Sequence, residues 1–482
     1  MKRMIALTLA VLMALSLCAC GGSQKQQAAE PGFKAGFGQV DITPNYSVPL
    51  AGYGNTMNRM SQGYMDYLYA TCIAVQDAQG EMALFITVDS INFYDGLLEL
   101  VRPAVVEATG VKADRIVLAG THTHSAPDMN STDGSIAKYK EFFSQCVADA
   151  AKAAIKDLSG ATIQTGTGET ENLTFVRHYV MNDGTYSGPN FGDSSSGYKA
   201  HEREADEQIQ LVRFVRSAKG KDDILMVNWQ SHPLVASTNA SDEGLQGRSM
   251  MSPDFIGTMR NYVGEQTGCK VAFFQGAAGN LNPRSNIASE QSTVPTDVNV
   301  YGQKLGDYVI AAMENMTQIE AGSIVSKQTI YQGEVDHTED DLLDYARVVQ
   351  DLWTKTNNFN ACLTEGKPYG VMGPYHAGAI IRRATSSVNQ KAMELNAITI
   401  GNVGFVTAPY EMFCQNGQQI KEGSPYDITF VITCSNGHNS YIAADEAFAF
   451  GSYEVHARTF IRGTGEALAN ELVSMLNDIS GK

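Results

Sequence analysis

Residues 115–127 read RIVLAGTHTHSAP, an apolar run that passes directly into a polar segment with two histidines. The apolar part is short and rich in branched side chains, which is typical of a fully buried β-strand. In open α/β sheets, ligands bind beyond the carboxyl ends of the strands. The motif therefore predicts a sheet in which the end of this strand belongs to a functional site.

Four further apolar runs end in polar residues in the same way. Each run has the length of a buried strand and is followed by residues that are common in turns. The runs, each with the segment that follows it, are Ile224–Trp229 with Gln230–Pro233, Lys270–Phe274 with Gln275–Pro283, Val403–Val406 with Thr407–Glu411, and Ile428–Ile432 with Thr433–Tyr441. Five strand ends that carry His, Asn, Glu and Tyr indicate a site along a sheet edge.

Helical patterns alternate with these strands. Two more strands are predicted over Ala70–Gln76 and Met82–Val88, and helices over Gly96–Thr109, Ile136–Leu158, Val298–Met316, Asp340–Lys355 and Gly463–Leu476. We therefore expect an α/β fold of the α+β sandwich type, with layered β-sheets flanked by helices. The stretch from Asp183 to Asp206 is rich in Gly, Ser and charge and predicts a long surface loop.

The composition excludes several classes of protein. The chain has 482 residues, of which 43% are hydrophobic, so it can build a core and is not a disordered or collagen-like chain. It carries 35 Lys and Arg against 52 Asp and Glu, a formal net charge of −17. This acid excess argues against a nucleic-acid partner and against electrostatic docking on anionic lipid.

The N-terminus has the pattern of an export signal with a lipid anchor. Lys2 and Arg3 precede a short apolar run, and Ala19-Cys20 precedes small residues, which resembles a bacterial lipobox. We expect residues 1–19 to be a lipoprotein signal peptide, Cys20 to be lipidated, and residues 20–32 to be a flexible tether. The protein would then lie on the extracellular face of the bacterial cell membrane. A plain signal peptide cleaved nearby is the alternative.

The domain from residue 33 to residue 482 contains six cysteines, none of them in a Cys-x-x-Cys pair. A zinc cluster held by thiolates is therefore not expected. In an exported protein one or two disulfides are compatible with this number, and so is the burial of each thiol as a small apolar group.

The polar strand ends together predict a metal site. His122 and His124 form a His-x-His pair, and on extended backbone residues two apart point to the same side. With His232, Glu411 and Tyr441 they supply nitrogen and oxygen ligands that suit zinc. Taken singly, each residue has an ordinary alternative: a hydrogen-bonded loop histidine, a carboxylate at the start of a helix through Ile420, or a strand tyrosine.

The same motifs resemble the neutral/alkaline ceramidase family. The resemblance spans nearly the whole mature chain as ordered motifs, and its most specific element is residues 121–127. Its other elements are Ala35–Gly38, Asp41–Pro44, Pro49–Gly54, His232, Gly276–Pro283, Pro409–Glu411 and Ser435–Tyr441. Tyr453-Glu454 resembles a further element near the site, for which a structural role is equally open.

The resemblance implies a set of roles. His122, His232, Glu411 and Tyr441 would be zinc ligands, and the reaction would be hydrolysis of an N-acyl amide by a metal-activated water. Tyr441 would also join His124 in stabilising the oxyanion. By the same resemblance His124 and Arg177 would face a small, lipid-like N-acyl substrate. Arg177 alone is equally compatible with an ordinary surface arginine. No protein partner is implied.

Two departures from the family pattern bear on the substrate. Asn280 and Asn282 stand where the family carries Asp and Ser, and an Asn is no nucleophile, although its amide can donate to a substrate oxygen. After Tyr453 one helical segment remains, so we expect the family's C-terminal immunoglobulin-like domain to be absent. A metal-dependent esterase or amidase acting on another cell-envelope substrate, and a non-catalytic solute-binding lipoprotein, are the alternatives.

Overall fold

The computed structural model describes residues 32–53, 59–187, 197–236 and 249–480. The strands in this part of the chain are β1 Lys34–Asp41, β2 Gly63–Tyr64, β3 Tyr69–Gln76, β4 Met82–Val88, β5 Ile116–Gly120, β6 Ser159–Glu169, β7 Phe175–Val176, β8 Tyr179–Met181, β9 Tyr186–Ser187, β10 Tyr198–His201, β11 Gln208–Arg216, β12 Ile224–Trp229, β13 Met250–Met251, β14 Lys270–Gln275, β15 Leu281–Asn282, β16 Thr317–Ile319, β17 Ile324–Glu334, β18 Gln390–Ile400, β19 Val403–Thr407, β20 Glu411–Met412, β21 Ile428–Ile432 and β22 Tyr441–Ile442. The predicted signal peptide, Cys20 and Gly54 lie outside the described residues.

The helices begin and end at residues whose chemistry favours those positions. The Asp133 side chain accepts from the backbone N–H of Ser135 at the start of the second helix, and Gly110, at φ 72°, ends the first. The helices are α1 Asp95–Thr109, α2 Gly134–Lys156, α3 Phe255–Thr267, α4 Ala288–Gln291, α5 Val298–Met313, α6 Leu343–Thr356, α7 Phe359–Gly366, α8 Pro374–Ala384, α9 Cys414–Gly423, α10 Tyr453–His456 and α11 Thr464–Ser480.

A nine-stranded sheet forms one half of the core. Its order is β14-β12-β11-β6-β1-β3-β4-β5, with β16 paired to β6 on the edge opposite β11. The pairs β12–β14 and β4–β5 are parallel and the other pairs are antiparallel. The strands β12 and β14 run parallel to each other, so the polar residues that follow them leave the same edge of the sheet, whereas β5 runs in the opposite direction.

A second sheet of four strands, in the order β17-β18-β19-β21, packs face to face on the first. One buried cluster contains side chains from both sheets, and the rings of Phe85 and Phe405 lie 4.5 Å apart across it. Alternate residues of each strand point away from this interface, so Leu84 and Ile86 face helices instead. Each strand therefore has one face buried against the other sheet and one face buried against helices, so the runs in both sheets are apolar throughout.

Helices cover the outer faces of both sheets. The α1 and α2 helices pack on one part of the large sheet and α3 and α5 on another, while α9 and α11 cover the four-stranded sheet. The order of layers is therefore helix, sheet, sheet, helix. The predicted α+β sandwich with layered sheets is confirmed, and most predicted elements match within a few residues.

Two glycines of the Ala35–Gly38 motif allow α2 to approach β1. A Cβ atom on Gly36 would lie 2.1 Å from the carbonyl oxygen of Ala154, and one on Gly38 would lie 2.1 Å from that of Ala150. Any larger side chain would therefore push the helix off the sheet. The motif that marks the start of the family resemblance is explained by close packing.

A helical insert separates the adjacent antiparallel strands β17 and β18. Residues 335–389 contain α6, α7 and α8, which share a small cluster that includes Val349, Cys362 and Ile380. Such a long connection between paired strands is unusual, because antiparallel neighbours need only a short turn.

Two segments have a secondary structure different from the one that the sequence predicted. The described parts of residues 183–206 are not a plain loop, because β9 and β10 pair with β8 in a small three-stranded sheet, while residues 188–196 lie outside the described residues. Glu411 does not start a helix, because it lies in β20 and the helix begins at Cys414. Residues Gly32–Lys482 form one compact unit.

The cysteines favour one of the two alternatives that the sequence left open. The six cysteines of the described residues are all buried, and no two of them form a disulfide, which leaves the second alternative, burial as small apolar groups. Among the described helices none is both long and apolar enough to cross a bilayer.

Candidate metal centre

The His-x-His segment is held by backbone hydrogen bonds from neighbouring strand ends. The N–H of Thr121 donates to the carbonyl of Val88, and that of His122 to the carbonyl of Ser90. His122 has φ 68°, a left-handed conformation, so the extended backbone assumed from the sequence is wrong. The two imidazoles nevertheless converge, with ring centroids 5.1 Å apart, because the turn after β5 folds both rings inward.

Three histidines meet in the interior. His122, His124 and His232 are buried, and each offers a ring nitrogen that lies within 4.8 Å of those of the other two. His122 and His124 follow β5 and His232 follows β12, so the grouping joins the C-terminal ends of two strands that run in opposite directions in the large sheet. These three side chains can hold a metal ion.

An acidic and a phenolic oxygen lie at the same place. One carboxylate oxygen of Glu411, Oε2, is 3.2 Å from Nε2 of His122 and 3.2 Å from Nε2 of His232. The hydroxyl of Tyr441 is 3.3 Å from Nε2 of His232. Glu411 and Tyr441 are cross-strand partners in the parallel pair β20–β22. All four predicted ligands are therefore brought together.

Backbone carbonyls orient two of the rings. Nδ1 of His122 lies 2.8 Å from the carbonyl oxygen of Ile91, and Nδ1 of His232 lies 2.8 Å from that of Leu281. Because a carbonyl only accepts, each Nδ1 carries a proton and donates it to the carbonyl, and each Nε2 faces Glu411. Metal-binding histidines are usually held by such a contact on the second nitrogen.

The donor set was tested for its fit to a metal. Nε2 of His122 and Oε2 of Glu411 are buried, and neither has a hydrogen-bond partner of acceptable geometry among the described residues. Buried polar atoms without a partner are costly, and a cation between them would satisfy both. Burial opposes ionisation of Glu411, yet His122 and His232 hold its pKa well below the usual range. The residues therefore fit a divalent cation.

His124 is placed beside the cluster and is not fixed by it. Neither of its ring nitrogens has a hydrogen-bond partner among the described residues, and its ring packs edge-on against that of Tyr53 at 5.2 Å. Burial, followed by the nearby His122 and His232, keeps its pKa well below the usual value, so the ring is neutral near pH 7. A neutral imidazole with two open nitrogens can both accept and donate a proton.

Arg177 lies inside the protein, behind Tyr441. Its Nε donates to Glu454 at 2.7 Å, and its Nη atoms donate to the carbonyl of Gly279 at 2.9 Å and to Oδ1 of Asn282 at 3.3 Å. The guanidinium carbon is 5.5 Å from the centre of the Tyr441 ring. Arg177 is thus not a surface arginine, and it ties the Gly-rich loop to the ligand set.

The two asparagines of the Gly-rich loop have structural partners. Oδ1 of Asn280 accepts from the backbone N–H of Cys414 at 2.9 Å, and its amide donates to Gln415 at 3.0 Å. Asn282 accepts from Arg177. Asn280 therefore fixes the start of α9, while Asn282 lies at the margin of the site.

Two residues near the site were missed or left undecided by the sequence. The thiol of Cys434 lies 3.4 Å from Nδ1 of His122, and a signal for it existed, because Cys434 is the second residue after the apolar run Ile428–Ile432. Glu454 accepts from Arg177 and also faces Nε2 of His178 at 2.9 Å. The carboxylate of Glu454 therefore has a structural role, which is one of the two roles left open for Tyr453-Glu454 by the sequence.

Comparison with solved structures shows the fold. The crystal structure of neutral ceramidase from Pseudomonas aeruginosa superposes with a TM-score of 0.68 at 16% identity, covering 93% of this chain and 74% of that one. A ceramidase complexed with C2 gives a TM-score of 0.67 at 15% identity, covering 94% and 76%.

Sequence comparison gives the family. The neutral ceramidases of Drosophila pseudoobscura pseudoobscura and Drosophila melanogaster are 30% identical over 98 residues, which is 20% of this chain and 14% of the length of each relative. The model of the neutral/alkaline non-lysosomal ceramidase N-terminal domain matches residues 33–283. Because this match covers more than half of the chain, the protein belongs to the neutral/alkaline non-lysosomal ceramidase family.

Proposed function

We propose that the protein is a zinc-dependent hydrolase of N-acyl amide bonds that acts on ceramide-like lipids. The observation that carries this proposal is the convergence of two Nε2 atoms, from His122 and His232, on one oxygen of Glu411 in a buried site. Tyr441 completes a set of two nitrogens and two oxygens, which is a combination that suits zinc.

In this proposal the metal is held by His122, His232, Glu411 and Tyr441. The residues around these ligands position the substrate and transfer protons. Zinc, when bound, lowers the pKa of a water molecule toward neutrality and polarises a carbonyl. Arg177 and Asn282 hold Tyr441 and the Gly-rich loop in fixed positions relative to each other. Arg177 donates both to Asn282 and to the carbonyl of Gly279, and these hydrogen bonds make the wall behind the site rigid.

His124 is the proposed proton-handling residue. It is neutral, buried and free at both ring nitrogens among the described contacts, so it can donate to the developing oxyanion or pass a proton to the leaving amine. His124 is not needed as a ligand, because Glu411 and Tyr441 already supply two oxygen donors beside the Nε2 atoms of His122 and His232. Its packing against Tyr53 fixes the direction of the ring.

The proposed substrate class rests on family membership and on the relatives' names. The curated relatives are named neutral ceramidases, and one solved relative is a ceramidase complexed with C2. Asn282 in place of a serine removes a side-chain nucleophile at that point, so attack by a metal-activated water is the route that this chain allows.

Lipidation at Cys20 is part of the same proposal. The lipobox-like segment would anchor the protein on the extracellular face of the membrane, where lipid substrates are found. Labelling with a radioactive fatty acid, with Cys20→Ser as the matched variant, tests the anchor separately from the activity. A wild-type protein that takes up no label would refute the anchor.

A substrate panel tests the reaction. Purified protein would be given N-acylsphingosines, N-acyl amino acids and muropeptides, with Glu411→Ala as the control. Release of a fatty acid from N-acylsphingosine by the wild type alone supports the proposal. Turnover of only another amide or ester would assign the scaffold to a different cell-envelope substrate. Ligand binding without any turnover would indicate the solute-binding alternative.

A further inference from the structure

The helical insert, residues 335–389, packs against the segment that carries Tyr453. Helix α8 of the helical insert contacts α10, whose first residue is Tyr453. The ring of Tyr453 in turn lies 5.6 Å from that of Tyr441, edge to face. The helical insert contributes no residue to the site, but only the ring of Tyr453 separates it from Tyr441, a proposed metal ligand.

Aromatic side chains continue outward from that contact. The Tyr453 and Tyr375 rings lie 5.3 Å apart, and Tyr375 is followed by Phe359 at 6.0 Å and Trp353 at 6.2 Å. We name this series the aromatic row. Tyr441 is buried, whereas the other four side chains are only half-buried, so the row leads from the buried centre toward solvent.

A buried ionic network holds the helical insert and the Tyr453 segment together. Glu339 of the helical insert accepts from His376 at 3.1 Å, from Arg383 at 2.6 Å and, across the junction, from Arg458 at 3.0 Å. The His376 and His456 rings also lie 4.5 Å apart. Because both contacts flank the Tyr375–Tyr453 pair, the outer part of the row is fixed relative to the inner part.

We propose that the aromatic row is the wall along which a long hydrocarbon chain of the substrate lies, so that the helical insert determines chain-length specificity. This proposal rests on the proposed function, because it takes the reacting amide to be at Tyr441. Half-buried aromatic faces in series offer apolar area without a polar partner to satisfy, which suits a hydrocarbon chain. Tyr375 and Tyr453 are the specificity-determining residues.

The test compares chain lengths in two arms. One arm varies the acyl group from acetyl to palmitoyl on a single amine, and the other varies the amine from ethanolamine to sphingosine with acetyl fixed. In wild type, kcat/KM should rise with chain length in one arm, which also identifies the chain that the row contacts. Tyr375→Ala and Tyr453→Ala should lower kcat/KM about tenfold for the long chain only, mainly through KM, whereas Tyr453→Phe should retain it.

Two tyrosines of the helical insert are matched controls. Tyr345 and Tyr369 stack on each other at 4.2 Å, are 43% and 48% exposed, and make no contact with the row among the described ring pairs. Their alanine variants should keep the wild-type profile. Equal losses for short and long chains, equal losses in the controls, or a wild-type enzyme indifferent to length in both arms would overturn the proposal.

A binding measurement separates this proposal from the proposed function. The chain has two tryptophans, and Trp229 is fully buried, so a change in emission on adding palmitate reports on Trp353. Palmitate should change the emission of wild type and not that of Tyr375→Ala, while acetate should change neither. Absence of amide turnover with this response intact would reject the proposed function alone. If palmitate leaves the emission unchanged while amide turnover is intact, the proposal that the aromatic row binds the hydrocarbon chain would be rejected.

Discussion

Glu411 and Tyr441 lie directly opposite each other in the parallel strand pair β20–β22, although helix α9 and strand β21 separate them along the chain. The pair spans only two residues on each strand, yet both side chains are buried beside the same histidine. Register in a sheet decides which side chains share a face, so this short ladder sets the spacing of the two oxygen donors.

His124→Asn should separate metal binding from catalysis. Because His124 is proposed to move a proton and not to hold the metal, the variant should keep its bound metal and lose activity by about a hundredfold or more. Metal content by atomic emission and kcat on an N-acyl amide are the two measurements. Loss of the metal in this variant would instead make His124 a ligand.

Arg177→Met should destabilise the fold. The substitution leaves Glu454 buried without its arginine, which costs about 3 kcal/mol in the free energy of unfolding. Urea denaturation measures the change. Arg203→Met is the matched control, because its partner Glu446 is half exposed and the pair should contribute less than about 1 kcal/mol. Equal effects of the two substitutions would contradict the account.

Glu339 should make stability depend on acid pH. Burial opposes its ionisation, but His376, Arg458 and Arg383 lower its pKa from 4.5 to about 2. A carboxyl whose pKa is lowered on folding stabilises the protein above its unfolded value and loses this effect as pH falls from about 4.5 through about 2.

Glu339→Gln tests this dependence. After allowance for solvent screening, the variant should lose about 2 kcal/mol of unfolding free energy near pH 6, and the gap to wild type should shrink near pH 3. Urea denaturation at the two pH values gives the gap. A difference that stays constant or grows in acid would show that the carboxylate charge is not responsible.

Gly38→Ala should weaken the contact between β1 and α2. The added Cβ would meet the carbonyl oxygen of Ala150 at 2.1 Å, so helix and sheet must separate, at a cost of about 1–3 kcal/mol. Gly134→Ala is the control, because it lies at the start of α2, where a Cβ meets nothing within 4 Å. In thermal unfolding, the midpoint temperature should fall for Gly38→Ala and stay at the wild-type value for Gly134→Ala.

The layers of the fold were predictable because their strands are apolar throughout. The runs Ile224–Trp229 and Ile428–Ile432 match β12 and β21 residue for residue, since burial between a sheet and helices leaves no exposed face. The polar residues that follow such strands were also recognisable, because each apolar run ends directly in a polar segment. His122 and His232 converge although β5 and β12 run in opposite directions in the large sheet, a relationship that the linear pattern does not specify.

Other features depend on contacts that a linear pattern does not carry. Strands β20 and β22 are too short to have a periodicity, so Glu411 was compatible with a helix start. The left-handed conformations of His122 and Cys434 depend on hydrogen bonds to distant strand ends. The contact of Tyr375 with Tyr453 follows from the docking of the helical insert, which no local signal specifies.

The most direct test is the metal content of wild type and Glu411→Ala, measured together with the hydrolysis of an N-acyl amide. We predict about one zinc per chain in wild type purified without chelator, and loss of both metal and activity in a variant whose circular dichroism is unchanged. Wild-type protein that binds no transition metal, or a Glu411→Ala variant that keeps metal and activity, would contradict the account.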